Sequence, residues 1–399
     1  PQQAVGDYFN KNFVNYKIDA EKGEGPELAG KYEVSAYPTL VFVNAAGELV
    51  YKFMGVRTAD KLIAEGEKAV RLYALAPRIA AMEKEYQQGK RGKVFLGEYY
   101  ALLKESGAGG GIVLNEYLKC LSDEELLLEE NVSNIGNISI FDPVLFDRLV
   151  KGIKKVEGEN KKLGNRLNTS VMKSLSACFA TCVKEKDEKA LEGILGVKAG
   201  LGNLENGMSA MMGGGKSYLP AEQLRLDFYS NNRLDDKFKT LMSEYMIAQQ
   251  QENSIDSLRK TEEITNRHFE MLIDSARMKN DSAAIVSIRK TMGMASLFGG
   301  VKYKLLSSFV ISATRHYWKI TDQQNVGEKK KCIAWVNYAY QLDRTPATAW
   351  GCADLLEEIG EKQGAKKLLN DVLEVIKNNS LSDADPKDIQ SVTERVEKM

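Results

Sequence analysis

The chain has 399 residues, too many for one ordinary core, so two or three domains are expected. Hydrophobic residues make up 43% and charged residues 28%, a globular balance, and no apolar run reaches the ~18 residues that span a bilayer. Lys plus Arg matches Asp plus Glu at 55 each, so nothing in the net charge attracts nucleic acid or an anionic membrane, and neither partner is expected. Five cysteines, Cys120, Cys178, Cys182, Cys332 and Cys352, are too sparse for a disulfide framework. The opening Pro-Gln-Gln-Ala reads as a helix already under way, which implies a fragment or a processed form in which any upstream signal peptide is invisible.

After that short helix, Phe13 to Asp19 is apolar and β-rich and reads as a strand. A polar loop, Glu21 to Gly25, leads to Pro26 in the first turn of a short helix that continues through Glu27 to Tyr32. Thr39 to Val43 reads as a buried strand, Asn44 to Gly47 as a turn and Glu48 to Phe53 as a second strand, which together make a hairpin. Thr58 is an N-cap for a helix to about Leu72, with Leu62, Ile63, Ala69 and Val70 at helical spacing. Beyond Pro77 the apolar residues recur every three or four positions, so the remainder is read as all-α. It is interrupted at Gly107 to Gly111, at Asn131 to Asn137, and by a glycine-rich stretch from Gly196 to Gly215 read as a loop or subdomain boundary. Near the end, Ala353, Leu356, Gly360, Ala365, Leu369 and Val372 follow the spacing of a tetratricopeptide helix pair with Gly360 in its turn, preceded by a helix over Lys331 to Leu342. No strict period extends further back, so irregular stacked helical hairpins are expected.

Asp19, then Leu28, Ala29, Tyr32 and Val34, then Tyr37-Pro38-Thr39 ahead of the strand to Val43, resemble the thioredoxin superfamily over residues 1 to about 72. The fold class implied is α/β, a partial thioredoxin-like fold, followed by a large all-α region of stacked helical hairpins. The expected division is 1–72, 73–218 and 219–399. The resemblance implies that the Tyr37–Pro38 bond is cis and that Tyr37, Pro38 and Thr39 form the substrate-binding segment, with the backbone of Tyr37 pairing with a substrate peptide. Pro38 fits a strand's first residue on its own account, because it cannot donate to a ladder. Family catalysis uses a Cys-x-x-Cys at a helix N-terminus, where the thiolate is favoured. Residues 1–12 hold no cysteine, so this chain contains no catalytic residue of that kind, and the dithiol of a parent enzyme is expected upstream of Pro1. In that fold the strand leading into the dithiol helix lies between the strands matching Phe13 to Asp19 and Thr39 to Val43. With it missing, a gap or an exposed, unpaired strand edge is expected between them.

The resemblance implies a thiol–disulfide oxidoreductase of the bacterial cell envelope or periplasm, acting on protein or peptide thiols and disulfides. The alternative is a non-catalytic module in which the thioredoxin-like platform and the helical region hold a protein or peptide partner. No cofactor and no metal is expected, since His268 and His316 stand far apart and read as surface or satisfied core histidines. Cys178 and Cys182, four apart on a helix, read as two buried, unlinked thiols, with a redox pair or a metal half-site as the alternatives. Ala210 to Ser217 matches a relaxed phosphate-loop pattern, but polar residues precede it where a buried strand is needed and Pro220 follows, which argues against nucleotide binding. Trp318, Trp335 and Trp350, with Tyr303, Tyr317, Tyr338 and Tyr340, read as helix-packing core, with a concave peptide-binding groove as the alternative.

Overall fold

A computed structural model describes residues 2–107, 109–201, 220–279, 281–378 and 386–398. The protein is mostly α-helical, with one two-stranded antiparallel sheet among the described residues. It forms two compact units, Pro1–Ser174 and Leu175–Met399.

The first unit contains α1 (Gln3–Asn12), α2 (Gly25–Lys31), β1 (Thr39–Val43), β2 (Leu49–Met54) and α3 (Ala59–Gln87). These are followed by α4 (Lys93–Ser106), α5 (Gly111–Lys119), α6 (Asp123–Leu126), α7 (Glu129–Ile135), α8 (Pro143–Glu157) and α9 (Lys161–Glu185), within which the division falls. The hairpin forms because Asn44 closes its turn: its Oδ1 accepts from the backbone N–H of Ala46 and of Glu48, each at 2.9 Å. Register then pairs Leu40 with Phe53 and Phe42 with Tyr51. Phe42 and Phe53 bury one face of the sheet against Ala69 of α3, and Phe9 and Phe13 close the cluster, with the Phe13 and Phe42 rings 5.1 Å apart. Gly66 permits α1 to lie close on α3, since a Cβ there would stand 2.7 Å from Tyr8 Cε1.

Three expectations for this unit need correction. Phe13 to Asp19 forms no strand. Its alternation is real, but Val14 is 101% exposed and Tyr16 83%, because a strand exists only where a neighbouring chain accepts its backbone bonds. The helix expected to end near Leu72 runs unbroken to Gln87 with Pro77 inside it, and so passes through the expected boundary at 72/73. An interior proline costs about 3 kcal/mol in an isolated helix, whereas here α3 buries Ala69 and Leu72 before it and Tyr86 after it. The break expected at Asn131 to Asn137 is narrower than that, since α7 covers Glu129 to Ile135 and only Gly136 and Asn137 form a turn after it. Asparagine favours turns when its amide competes for nearby backbone, but the Nδ2 of Asn131 donates to Glu125 O at 2.8 Å, outside its own helix. The Gly107 to Gly111 interruption is present, with Gly107, Gly109 and Gly110 all at positive φ between α4 and α5.

The second unit continues with α10 (Glu188–Leu201), α11 (Ala221–Asn231), α12 (Asp235–Glu252), α13 (Ile255–Met278) and α14 (Ser282–Ile320). It ends with α15 (Val326–Leu342), α16 (Pro346–Glu358), α17 (Lys362–Asn378) and α18 (Pro386–Lys398). Gly196 to Leu201 is helical, contrary to the loop expected there, because Leu191, Ile194 and Leu195 of α10 are buried and hold the segment. The rest of the glycine-rich stretch, the 210–217 motif and the expected boundary at 218/219 lie outside the described residues. One core joins Phe238 and Met242 of α12 through Val310, Trp335 and Ala339 to Leu356, Leu369 and Val372. The helical hairpin expected at the C-terminal end is formed by α16 and α17, with Ala353, Leu356, Ala365, Leu369 and Val372 all buried. Gly360 has φ +78° in its turn, a left-handed conformation that glycine adopts without steric cost.

Candidate functional site

The segment singled out by the resemblance, Tyr37-Pro38-Thr39, is where the chain enters β1. Its Tyr37–Pro38 peptide is cis. The loop before it is braced from several sides. The Tyr32 hydroxyl donates to Gly47 O at 3.0 Å, tying the end of α2 to the hairpin turn, and Lys52 Nζ donates to Tyr32 O and Glu33 O at 2.8 and 3.0 Å. Thr39 Oγ1 donates to Ala36 O at 2.6 Å. With the loop held, Tyr37 projects its ring into solvent at 59% exposure, Pro38 is exposed and Thr39 is half-buried.

Backbone alternation places the unpaired groups. Gly55 N–H donates to Pro38 O at 2.8 Å, so positions 38 and 55 form a hydrogen-bonded pair. In an antiparallel ladder such pairs alternate, and the register therefore turns the backbone of Leu40 and Phe42 toward β2 and that of Thr39 and Val41 toward the other edge. That edge pairs with no described strand, so it offers donors and acceptors directly after Tyr37. The gap expected between two strands does not arise as such, because Phe13 to Asp19 is no strand: Val14, Tyr16 and Ile18 are exposed rather than laddered, and β1 pairs only with β2 among the described residues.

The cysteines do not supply a reactive dithiol. None of the five is in a disulfide, and four are buried. Burial pushes the thiols of Cys178, Cys332 and Cys352 up to about 12 and that of Cys182 to about 11, so each stays protonated at neutral pH and cannot attack as a thiolate. Cys182 donates to Asp187 O at 3.0 Å, a structural bond. Among the described residues, no group of three or more His, Cys, Asp or Glu side chains could hold a metal ion. His268 is exposed. His316 lies edge-on to Phe238 with ring centroids 4.6 Å apart; its Nε2 is buried without a hydrogen-bond partner, so it is less well satisfied than expected.

Of the aromatic residues, Trp318, Trp335, Tyr317, Tyr338 and Tyr340 are core, but Trp350 stays 37% exposed on α16, where the guanidinium of Arg395 covers its ring. Nothing local in the sequence distinguishes Arg395 from the other basic residues; only the docking of α18 reveals it. No helix is long and apolar enough to cross a membrane among the described residues. No family model matches the chain, and neither does any curated protein or solved structure.

Proposed function

We propose that residues 2 to about 72 are the peptide-holding side of a thioredoxin-like platform, and that the parent protein is a thiol–disulfide oxidoreductase of the bacterial cell envelope whose Cys-x-x-Cys lies outside these residues. The observation that carries this reading is the unpaired edge of β1 beginning at the exposed Tyr37-Pro38-Thr39 segment, which can add an extended peptide by backbone pairing. In the full mechanism an upstream thiolate attacks a disulfide sulfur of the bound peptide, expelling the other sulfur as a thiolate. The second cysteine then attacks the mixed disulfide, which leaves the enzyme oxidised and the peptide as a dithiol. Residues 37–39 would fix the peptide during both steps. The elevated thiol pKa values favour a second reading for the chain alone, a binder without redox chemistry.

The test is to express the protein with any residues that are encoded ahead of Pro1 and to follow reduction of a disulfide-containing peptide. Thr39→Pro removes one edge donor while sparing the β1–β2 ladder, and it is expected to slow the exchange. Absence of an encoded dithiol, with peptide binding retained, would leave the binder; failure of Thr39→Pro to weaken either binding or exchange would remove residues 37–39 from both readings.

A further inference from the structure

Helices α4 to α7 of the first unit leave a cleft of about 240 Å³ between them. Part of its wall is apolar. Val94 on the first turn of α4 and Leu128 just ahead of α7 are both exposed, and the buried Leu121 lies beneath them. Scattered exposed apolar residues are ordinary, but these two border one concavity. Tyr117 of α5 forms another side. Its ring lies against α4 where Gly97 has no side chain, since a Cβ there would stand 3.0 Å from its Cε2.

The polar groups of the cleft divide into spent and unspent. Lys93 and Glu125 hold each other, with Nζ 2.6 Å from Oε1, and the second carboxylate oxygen of Glu125 accepts from the Ser122 N–H at 2.8 Å. Three further lining groups have no partner among the described residues: the Glu130 carboxylate, the Tyr117 hydroxyl and the Oδ1 of Asn131. Asn131 is only 2% exposed and its Nδ2 is committed to Glu125 O, so its side chain is fixed at the floor of the cleft with an acceptor unused. The sign of the local field can be read at Tyr117. Burial raises the pKa of its hydroxyl, Glu130 and then Glu125 raise it further, and Lys93 opposes them with the smallest effect. The carboxylates outweigh the lysine, so the cleft disfavours an anion and favours a cation.

We propose that this cleft is a binding site for a primary alkylammonium group on an aliphatic stem. The stem lies along Val94, Leu121 and Leu128, and the three N–H donors of the ammonium meet the oxygens of Glu130, Asn131 and Tyr117. A guanidinium matches a carboxylate fork in one plane, whereas these oxygens come from three side chains on two helices. The volume is below the roughly 300–1,000 Å³ of pockets for drug-sized ligands, which suits one short chain with one charged head. A free aliphatic amine and a lysine side chain of a partner protein carry the same chemistry. The site shares no residue with the 37–39 segment and uses no thiol.

The test is a titration of the full 399-residue chain with n-butylamine at neutral pH, followed by the methyl resonances of Val94, Leu121 and Leu128. Saturable shifts with millimolar affinity are expected, with n-butanol and butyrate leaving the same signals in place. Glu130→Gln, which breaks no contact within the chain, should weaken n-butylamine about threefold to fivefold. Tyr117→Phe keeps the ring on Gly97 and should weaken it by a smaller factor. Lys93→Met removes the competing cation from Glu125 and should tighten binding about threefold, the opposite of what loss of a merely structural ion pair would do. Nα-acetyl-lysine amide separates the two sources: affinity equal to or above that of n-butylamine assigns the cleft to a lysine side chain, and exclusion of the capped lysine assigns it to a free amine. The absence of saturable shifts, an equal response to n-butanol, or unchanged affinity in Glu130→Gln overturns the proposal.

Discussion

The sheet end of the first unit and the helical hairpins of the second are built from equally apolar sequence, yet they reach different degrees of completion. Around β1 and β2 the buried cluster is Phe42, Phe53 and Ala69, and Val14, Tyr16, Tyr37 and Val56 remain exposed beside it. In the second unit one core runs from Leu226 and Phe238 through Trp335 to Leu369 and Val392. A helix satisfies its backbone inside its own segment, so each added helix need only bury a side-chain stripe. A strand depends on neighbours for both edges, and losing one leaves polar groups that only water can satisfy. A sheet fails at the place where a neighbour is absent, while a stack of helices merely ends.

That contrast is most open to refutation by hydrogen exchange. Amides of Val14 to Ile18 and the outer edge of β1 should exchange at nearly unfolded rates, whereas those in the middle of α15, α16 and α17 should approach the limit set by global unfolding. Uniform protection across both regions would mean that the sheet closes by a route not visible in its ladder.

Thiol reactivity sharpens the comparison next. At pH 8 a disulfide reagent should label Cys120, the one exposed cysteine, promptly, with Cys178, Cys182, Cys332 and Cys352 reacting only when the protein opens. Rapid labelling of Cys332 or Cys352 in the native protein would show that the helical core is looser than its packing indicates.

Truncating the two cores gives a smaller, calorimetric contrast. Leu356→Ala empties a fully buried site between helices and is expected to cost about 2–5 kcal/mol, seen as a lower melting temperature. Phe53→Ala should instead loosen the sheet, read by faster exchange in β2, and leave the melting of the α15 to α17 region in place. If Phe53→Ala lowers that transition as much as Leu356→Ala does, the two regions do not melt independently.

The smallest expected effect is the pH response of His316. Burial lowers its pKa in the folded protein, with Asp235 opposing and Lys319 adding to the shift. The unfolded chain therefore binds the proton more tightly, and this site's contribution to stability falls as pH drops through the ordinary histidine value of about 6.5. His316→Asn should flatten the stability profile between pH 7 and pH 5.5. An unchanged slope would assign the acid sensitivity to other groups.

What could be read from the residue order alone was local. Spacings of three and four produced the helices, Asn44 to Gly47 the hairpin turn, and Gly360 the joint between α16 and α17, because each depends on bonds or dihedrals within a few positions. Tyr37-Pro38-Thr39 could be singled out by pattern, whereas the exposure of Tyr37 and Pro38 is decided by the fold. Other outcomes depended on distant partners. The alternation of Val14, Tyr16 and Ile18 is the same whether or not a neighbouring strand is there to receive it. Pro77 stands inside a helix because residues on both sides of it are buried, and Asn131 is helical because Glu125 O accepts its amide. Arg395 is an ordinary basic residue until α18 folds back over Trp350, Asp354 and Glu357, since a charge acquires its partners only from elements that the tertiary fold brings within a few ångströms.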